Sequence, residues 1–172
     1  MNRIYLYAII FSFFGILSGC QEDPEIWDSS TADFDGNWYV QYNHETLGED
    51  PFGEGLTTLY TYNTASNDGA EIWFTDEGGF WDYKVRIPVN QASLTFGSTS
   101  EVTSIIDGYE IKVIVNNGKI IKNAVELPSG AIVDSIYFEV WFEDLQDATE
   151  IENDKLIVGG HRKSGFEEDE PH

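Results

Sequence analysis

Ile136-Tyr137-Phe138-Glu139-Val140-Trp141-Phe142-Glu143 decides the fold class. Ile136, Phe138, Val140 and Phe142 recur at every second residue, with Tyr137, Glu139, Trp141 and Glu143 between them. A period of two puts the four apolar side chains on one face of a strand, whereas a helix would scatter them around its axis. The stretch therefore predicts a strand with one face in a core and the other toward water.

The same pattern extends in both directions. Trp38, Val40 and Tyr42 alternate with Tyr39, Gln41 and Asn43, and Ile72 and Phe74 share one face of a later strand. Trp81, Tyr83, Val85 and Ile87 form one face against Asp82, Lys84 and Arg86, with Pro88 expected to close that strand. Residues 94–96 and 102–106 read as short extended pieces. Tyr109, Ile111, Val113 and Val115 alternate with Glu110 and Lys112. Ser66-Asn67-Asp68-Gly69, Asp76-Glu77-Gly78-Gly79 and Leu127-Pro128-Ser129-Gly130 supply turn chemistry between these runs. Asn116-Asn117-Gly118 reads as a hairpin turn that sends residues 119–125 back. Residues 45–55 form a loop, residues 144–154 a loop or a single helical turn, and a last strand begins at Leu156. No segment sustains a helical period. The fold expected is all-β: an antiparallel barrel of about eight to ten strands, closed so that no edge is left exposed. Barrels of that size hold one small ligand or fill their centre with side chains. Periodicity names the inward face and leaves that choice open.

Composition narrows the function. Aromatic residues make up 15% of the chain, enough apolar surface for a folded core. The formal net charge is −22, with nine Lys and Arg against 31 Asp and Glu. Nucleic acid is excluded as a partner, because phosphate binding needs a basic stripe. Cys20 is the single cysteine, so no disulfide can form within one chain. A monomer without a cofactor is expected.

The amino terminus carries its own signal. Arg3 precedes an apolar run over residues 4–17, too short to span a bilayer comfortably, which reads as a secretory signal. Leu17-Ser18-Gly19-Cys20 closes it and resembles the lipobox of bacterial lipoproteins. That resemblance implies lipidation of Cys20, cleavage just before it, and membrane attachment through several acyl chains. Gln21-Glu22-Asp23-Pro24-Glu25 follows as an acidic stretch without periodicity, similar to the surface-export signal of some Gram-negative lipoproteins. The implied location is the outer membrane, facing the periplasm or the cell surface. The expected layout is a signal peptide over 1–19, a lipidated tether over 20–32, the barrel over 33–166 and an acidic tail over 167–172.

Asp35-Gly36-Asn37-Trp38 has the Gly-x-Trp opening of lipocalin-like barrels. With residues 60–65 (Tyr-Thr-Tyr-Asn-Thr-Ala), 72–76 (Ile-Trp-Phe-Thr-Asp), 94–96 (Leu-Thr-Phe) and 160–166 (Gly-His-Arg-Lys-Ser-Gly-Phe), the mature chain resembles the lipid-binding putative hydrolase family. The resemblance implies a lipocalin-like barrel and a lipid-like ligand. It also implies that Arg162 covers Trp38 beside Gly36, closing one end of the barrel.

The ligand-lining candidates are the inward aromatic and aliphatic residues Ile72, Phe74, Trp81, Tyr83, Phe138, Val140 and Phe142. The function expected is non-catalytic binding of a small apolar or amphipathic ligand. One rival is a surface module using exposed aromatics such as Trp73 or Trp141 on glycan or protein. A second is a hydrolase built on His161. Ser164 lies three residues from His161, where strand neighbours diverge, and no Gly-x-Ser-x-Gly elbow exists. Glu139 and Glu143 share a polar strand face and read as solvated carboxylates. No metal motif is present: there is no His-Glu-x-x-His, and Asp33-Phe34-Asp35-Gly36 is too short for a calcium loop.

Overall fold

The computed structural model describes residues 28–171, so Cys20 and the signal segment lie outside the described residues. Among the described residues nine strands follow in chain order: β1 (Gly36–His44), β2 (Thr57–Asn63), β3 (Glu71–Thr75), β4 (Lys84–Asn90), β5 (Thr95–Phe96), β6 (Val102–Thr103), β7 (Lys112–Glu126), β8 (Ile132–Phe142) and β9 (Leu156–Arg162). All pairings are antiparallel. The sequence β5-β4-β3-β2-β1-β9-β8-β7 returns to β5, which closes an eight-strand barrel, and β6 adds to β7 outside that ring. One helical turn, α1 (Leu145–Thr149), lies between β8 and β9.

β8 has the predicted pattern: Ile136, Phe138, Val140 and Phe142 are buried, and Tyr137, Glu139 and Trp141 are half-exposed. Its neighbour β7 differs from expectation. Asn116-Asn117-Gly118 does not end a strand; it is a bulge inside a strand of 15 residues, where the register to β8 slips between Asn116 and Lys119. Asn117 takes φ 54°, the left-handed region that hairpin turns also need, so the same residues serve either structure. Here the bulge lets β7 change partners, from β6 at Val113 to β5 at Gly118. Gly118 is required for that exchange, because a Cβ there would overlap the Phe96 ring.

Two further strand limits move. β4 begins at Lys84, leaving Trp81 and Tyr83 in the loop before it, and Pro88 lies within β4 rather than closing it. The folded part also starts before residue 33. Thr31 is 1% exposed, the Ser30 N–H donates to Asn67 Oδ1 at 2.8 Å, and Ser29 Oγ donates to Asp35. Polar residues that looked like tether instead cap a turn against the barrel. At the other terminus, residues 167–169 form a 3-10 turn, and Asp169 accepts from Ser129 Oγ at 2.7 Å and Ser164 Oγ at 2.6 Å.

Candidate functional site

The barrel has two unlike ends. At the first, the Arg162 guanidinium lies 4.4 Å from the Trp38 ring centroid and donates to the Asp35 carbonyl, with Asp134 Oδ2 3.4 Å away. A Cβ on Gly36 would collide with that guanidinium, which explains why glycine stands there. The Trp38 indole N–H donates to Thr61 Oγ1 at 2.8 Å, and the Thr61 hydroxyl donates in turn to the Phe34 carbonyl at 2.5 Å. Phe34 and Trp38 are fully buried beneath this network. These interactions build a sealed floor.

Above the floor the interior is packed. Phe74 meets Phe138 edge-on at 4.9 Å between centroids, Phe96 lies 5.6 Å from Phe74, and Tyr83 lies 5.0 Å from Phe142. Six of the seven ligand-lining candidates, Ile72, Phe74, Tyr83, Phe138, Val140 and Phe142, are buried among these rings and contact one another. The seventh, Trp81, sits on a loop at the second end.

That second end is stoppered by loop residues. Phe80 lies flat on Tyr42, with centroids 3.8 Å apart and planes 7° from parallel. Trp81 stacks on Phe142 at 5.1 Å, and Phe52 approaches both Phe80 and Trp81 edge-on. Two carboxylates hold the stopper. Asp76 accepts the backbone N–H of Trp81 at 2.7 Å and of Phe80 at 2.9 Å on Oδ2; Oδ1 takes Gly78 at 3.1 Å and Tyr83 at 3.4 Å. Asp144 accepts the Trp81 indole N–H at 2.8 Å and the Tyr109 hydroxyl. A cleft of about 380 Å³ lies over this stopper, bounded by Gly78, Phe80, Trp81, Asp82 and Tyr109.

Electrostatics at this end favour neutral chemistry. Burial pushes the Asp76 carboxyl up, and its four N–H partners draw it back only in part. The hydroxyls of Tyr42 and Tyr83 lie 3.4 Å apart in the core, and burial raises both far above the usual phenol range. Tyr109 is pushed up to about 12 by burial and by Asp144. The polar groups beneath the stopper are thus two neutral hydroxyls with a carboxyl nearby. An apolar chain suits the rings, and a hydroxyl or carbonyl suits the phenols.

The histidines take other roles. His161 lies at the edge of the Tyr39 ring, 6.0 Å between centroids, and its Nδ1 is 3.2 Å from the Arg162 carbonyl. The Ser164 hydroxyl is directed at Asp169. His44 is buried, a feature the sequence pattern missed. Its Nδ1 accepts the N–H groups of Thr46 and Leu47 at 2.9 and 2.8 Å, which leaves Nε2 to donate to Asp154 at 2.5 Å. Both ring nitrogens are committed, so this His–Asp pair ties the start of β9 to the end of β1. Glu139 pairs with Lys155 at 2.7 Å, and Glu143 accepts the Lys112 N–H at 3.1 Å.

Phe80, Asp76 and Asp144 were not among the sequence candidates. Asp76-Glu77-Gly78 does carry the signal of an aspartate folding back on the N–H two residues on. Nothing local, however, indicates that the following Phe-Trp pair turns inward.

Comparison with known families agrees with this architecture. The model of the family described as lipid-binding putative hydrolases matches residues 23–167, and the chain belongs to that family. A search of curated proteins finds no match.

Proposed function

We propose that this protein is a membrane-anchored, non-catalytic carrier or sensor of a lipid-like molecule, and that the ligand enters where Phe80 and Trp81 stopper the barrel. One observation carries the reading: the aromatic rings over the second end come from loops. Strand-borne rings such as Phe74 and Phe138 are fixed by the sheet. The Phe80–Trp81 segment can swing away when a ligand replaces its contacts with Tyr42 and Phe142. Membership of a lipid-binding family and the closed barrel support the same reading.

The test is a titration with a fluorescent fatty acid. Binding with micromolar affinity, about −8 kcal/mol, is expected. Phe80→Ala removes the ring that the ligand must displace, so affinity should rise by about tenfold, or 1.4 kcal/mol. Equal affinity in the wild type, Phe80→Ala and Trp81→Ala would place the ligand elsewhere. Ester substrates should show no hydrolysis above background, and His161→Ala should change nothing there.

The anchor belongs to the same proposal. Acylation at Cys20, cleavage before it and delivery to the outer membrane would hold the barrel against its ligand supply. Cys20→Ser should eliminate metabolic labelling with an alkyne fatty acid and move the protein out of the membrane fraction. Undiminished labelling would overturn the assignment of Cys20.

A further inference from the structure

On the outer face of β7 and β8, across the barrel wall from the core side chains, lies a groove of about 340 Å³. Its floor is the cross-strand pair Ile114 and Trp141, both half-buried on the outward face of β7 and β8. Its walls are polar: Asn116 and Glu139 from the same two strands, Asn153 and Lys155 from the approach to β9, and Glu101 from the segment before β6. Lys155 Nζ lies 2.7 Å from Glu139 Oε2, and Lys112 Nζ lies 3.0 Å from Glu101 Oε2. The pairing with Lys155 lowers the Glu139 carboxyl, so it is ionised at neutral pH.

We infer that this groove binds a neutral sugar ring, stacked on Trp141 and hydrogen-bonded by the amides and paired charges around it. A pyranose has apolar C–H faces and a polar belt of hydroxyls. The indole meets the first requirement, as a large rigid apolar plate at low entropic cost. The second needs acceptors and donors side by side at the rim. Carboxylates supply the acceptors, Lys155 the donor, and Asn116 and Asn153 both, with charge-assisted bonds to hydroxyls being the strong ones. Of the three carboxylates that line the groove, Glu139 and Glu101 each hold an ammonium and Asp154 is bonded to His44, so none is left without a partner to attract a cation, which suits a ligand without charge. A chain of net charge −22 also repels anionic sugars at long range. The volume is at the small end of ligand clefts, roughly 300–1,000 Å³, which limits the contact to one or two rings.

The full chain should be screened against neutral oligosaccharides built from glucose, xylose, mannose, galactose and N-acetylglucosamine, with polygalacturonate as the anionic control. Binding of at least one neutral member is expected, weakened about tenfold or more by Trp141→Ala and about threefold by Asn116→Ala, an exposed position that tests the groove if the first variant misfolds. Trp73→Ala, which alters a half-buried tryptophan on β3 outside this groove, should leave it unchanged. Fatty-acid binding by Trp141→Ala should equal that of the wild type, which separates this site from the barrel's end. The inference is overturned if no neutral member binds or if polygalacturonate binds equally well. Sugar binding that survives Trp141→Ala and Asn116→Ala, or fatty-acid affinity that falls with them, overturns it too.

Discussion

Phe138→Ala is expected to cost about 3–5 kcal/mol of folding stability, read as a lowered denaturant midpoint at unchanged slope. Phe138 is 0% exposed, on the inward face of the central stretch of β8. Its ring stands edge-on to Phe74 at 4.9 Å and lies 6.1 Å from Phe96, whose own ring fills the place that Gly118 leaves open. Removing Phe138 therefore deletes a shared contact of two further rings. The strands that carry them are fixed by ladders on both sides, so the walls collapse little and the cavity stays. The size of the loss also distinguishes two views of the barrel. If the rings pack a solid centre, the full penalty appears. If the centre is loosely filled, the loss should stay below about 1.5 kcal/mol, and the interior rather than the mouth would be the ligand site. Phe80→Ala provides the internal comparison. Its ring is half-exposed on a loop, and its removal should cost clearly less.

The inward face of the barrel was legible in the sequence because it rests on a period of two. Trp38, Val40, Phe138 and Phe142 needed only their spacing to be assigned to the core. Asn116-Asn117-Gly118 was misread because turns and bulges draw on the same left-handed backbone. Only the partner strand, β5, decides between them, and its Phe96 arrives from 22 residues earlier. The stopper was illegible for a different reason. Phe80 and Trp81 follow two glycines and precede a strand, so the alternation ran backwards through Trp81 as if the strand began there. What turns them inward is Asp76 taking their N–H groups and Asp144 taking the indole, contacts that span 4, 5 and 63 residues. Periodicity carries no information about a side chain that folds back on backbone N–H groups. His44 was missed similarly: its partner Asp154 is 110 residues away.

Asp76→Ala should destabilise the protein by about 2–4 kcal/mol and should free the Phe80–Trp81 segment first. The N–H groups of Phe80 and Trp81 have the Asp76 carboxylate as their acceptor at 2.9 and 2.7 Å. Buried donors without a partner cost about 1–3 kcal/mol each, and the refund from no longer burying a carboxyl offsets only part. The loop can lower its cost by swinging into water, which lifts Phe80 off Tyr42 and Trp81 off Phe142. Acrylamide quenching of Trp81 should therefore rise well before global unfolding, with Asp144→Ala producing a similar but weaker effect through the indole alone. The pH dependence follows from the direction of the Asp76 shift. Its folded carboxyl titrates above the unfolded one, so the stability from its proton is fully present below the unfolded value and is lost as pH rises through the folded one. The deficit of Asp76→Ala against the wild type should then be larger near about pH 4, close to the ordinary aspartate value, than near about pH 8. A deficit that grows toward pH 8 would mean that the four N–H groups hold the carboxyl ionised and that burial is the lesser influence. Quenching that rises only with global unfolding would mean that the stopper is part of the core and does not open on its own.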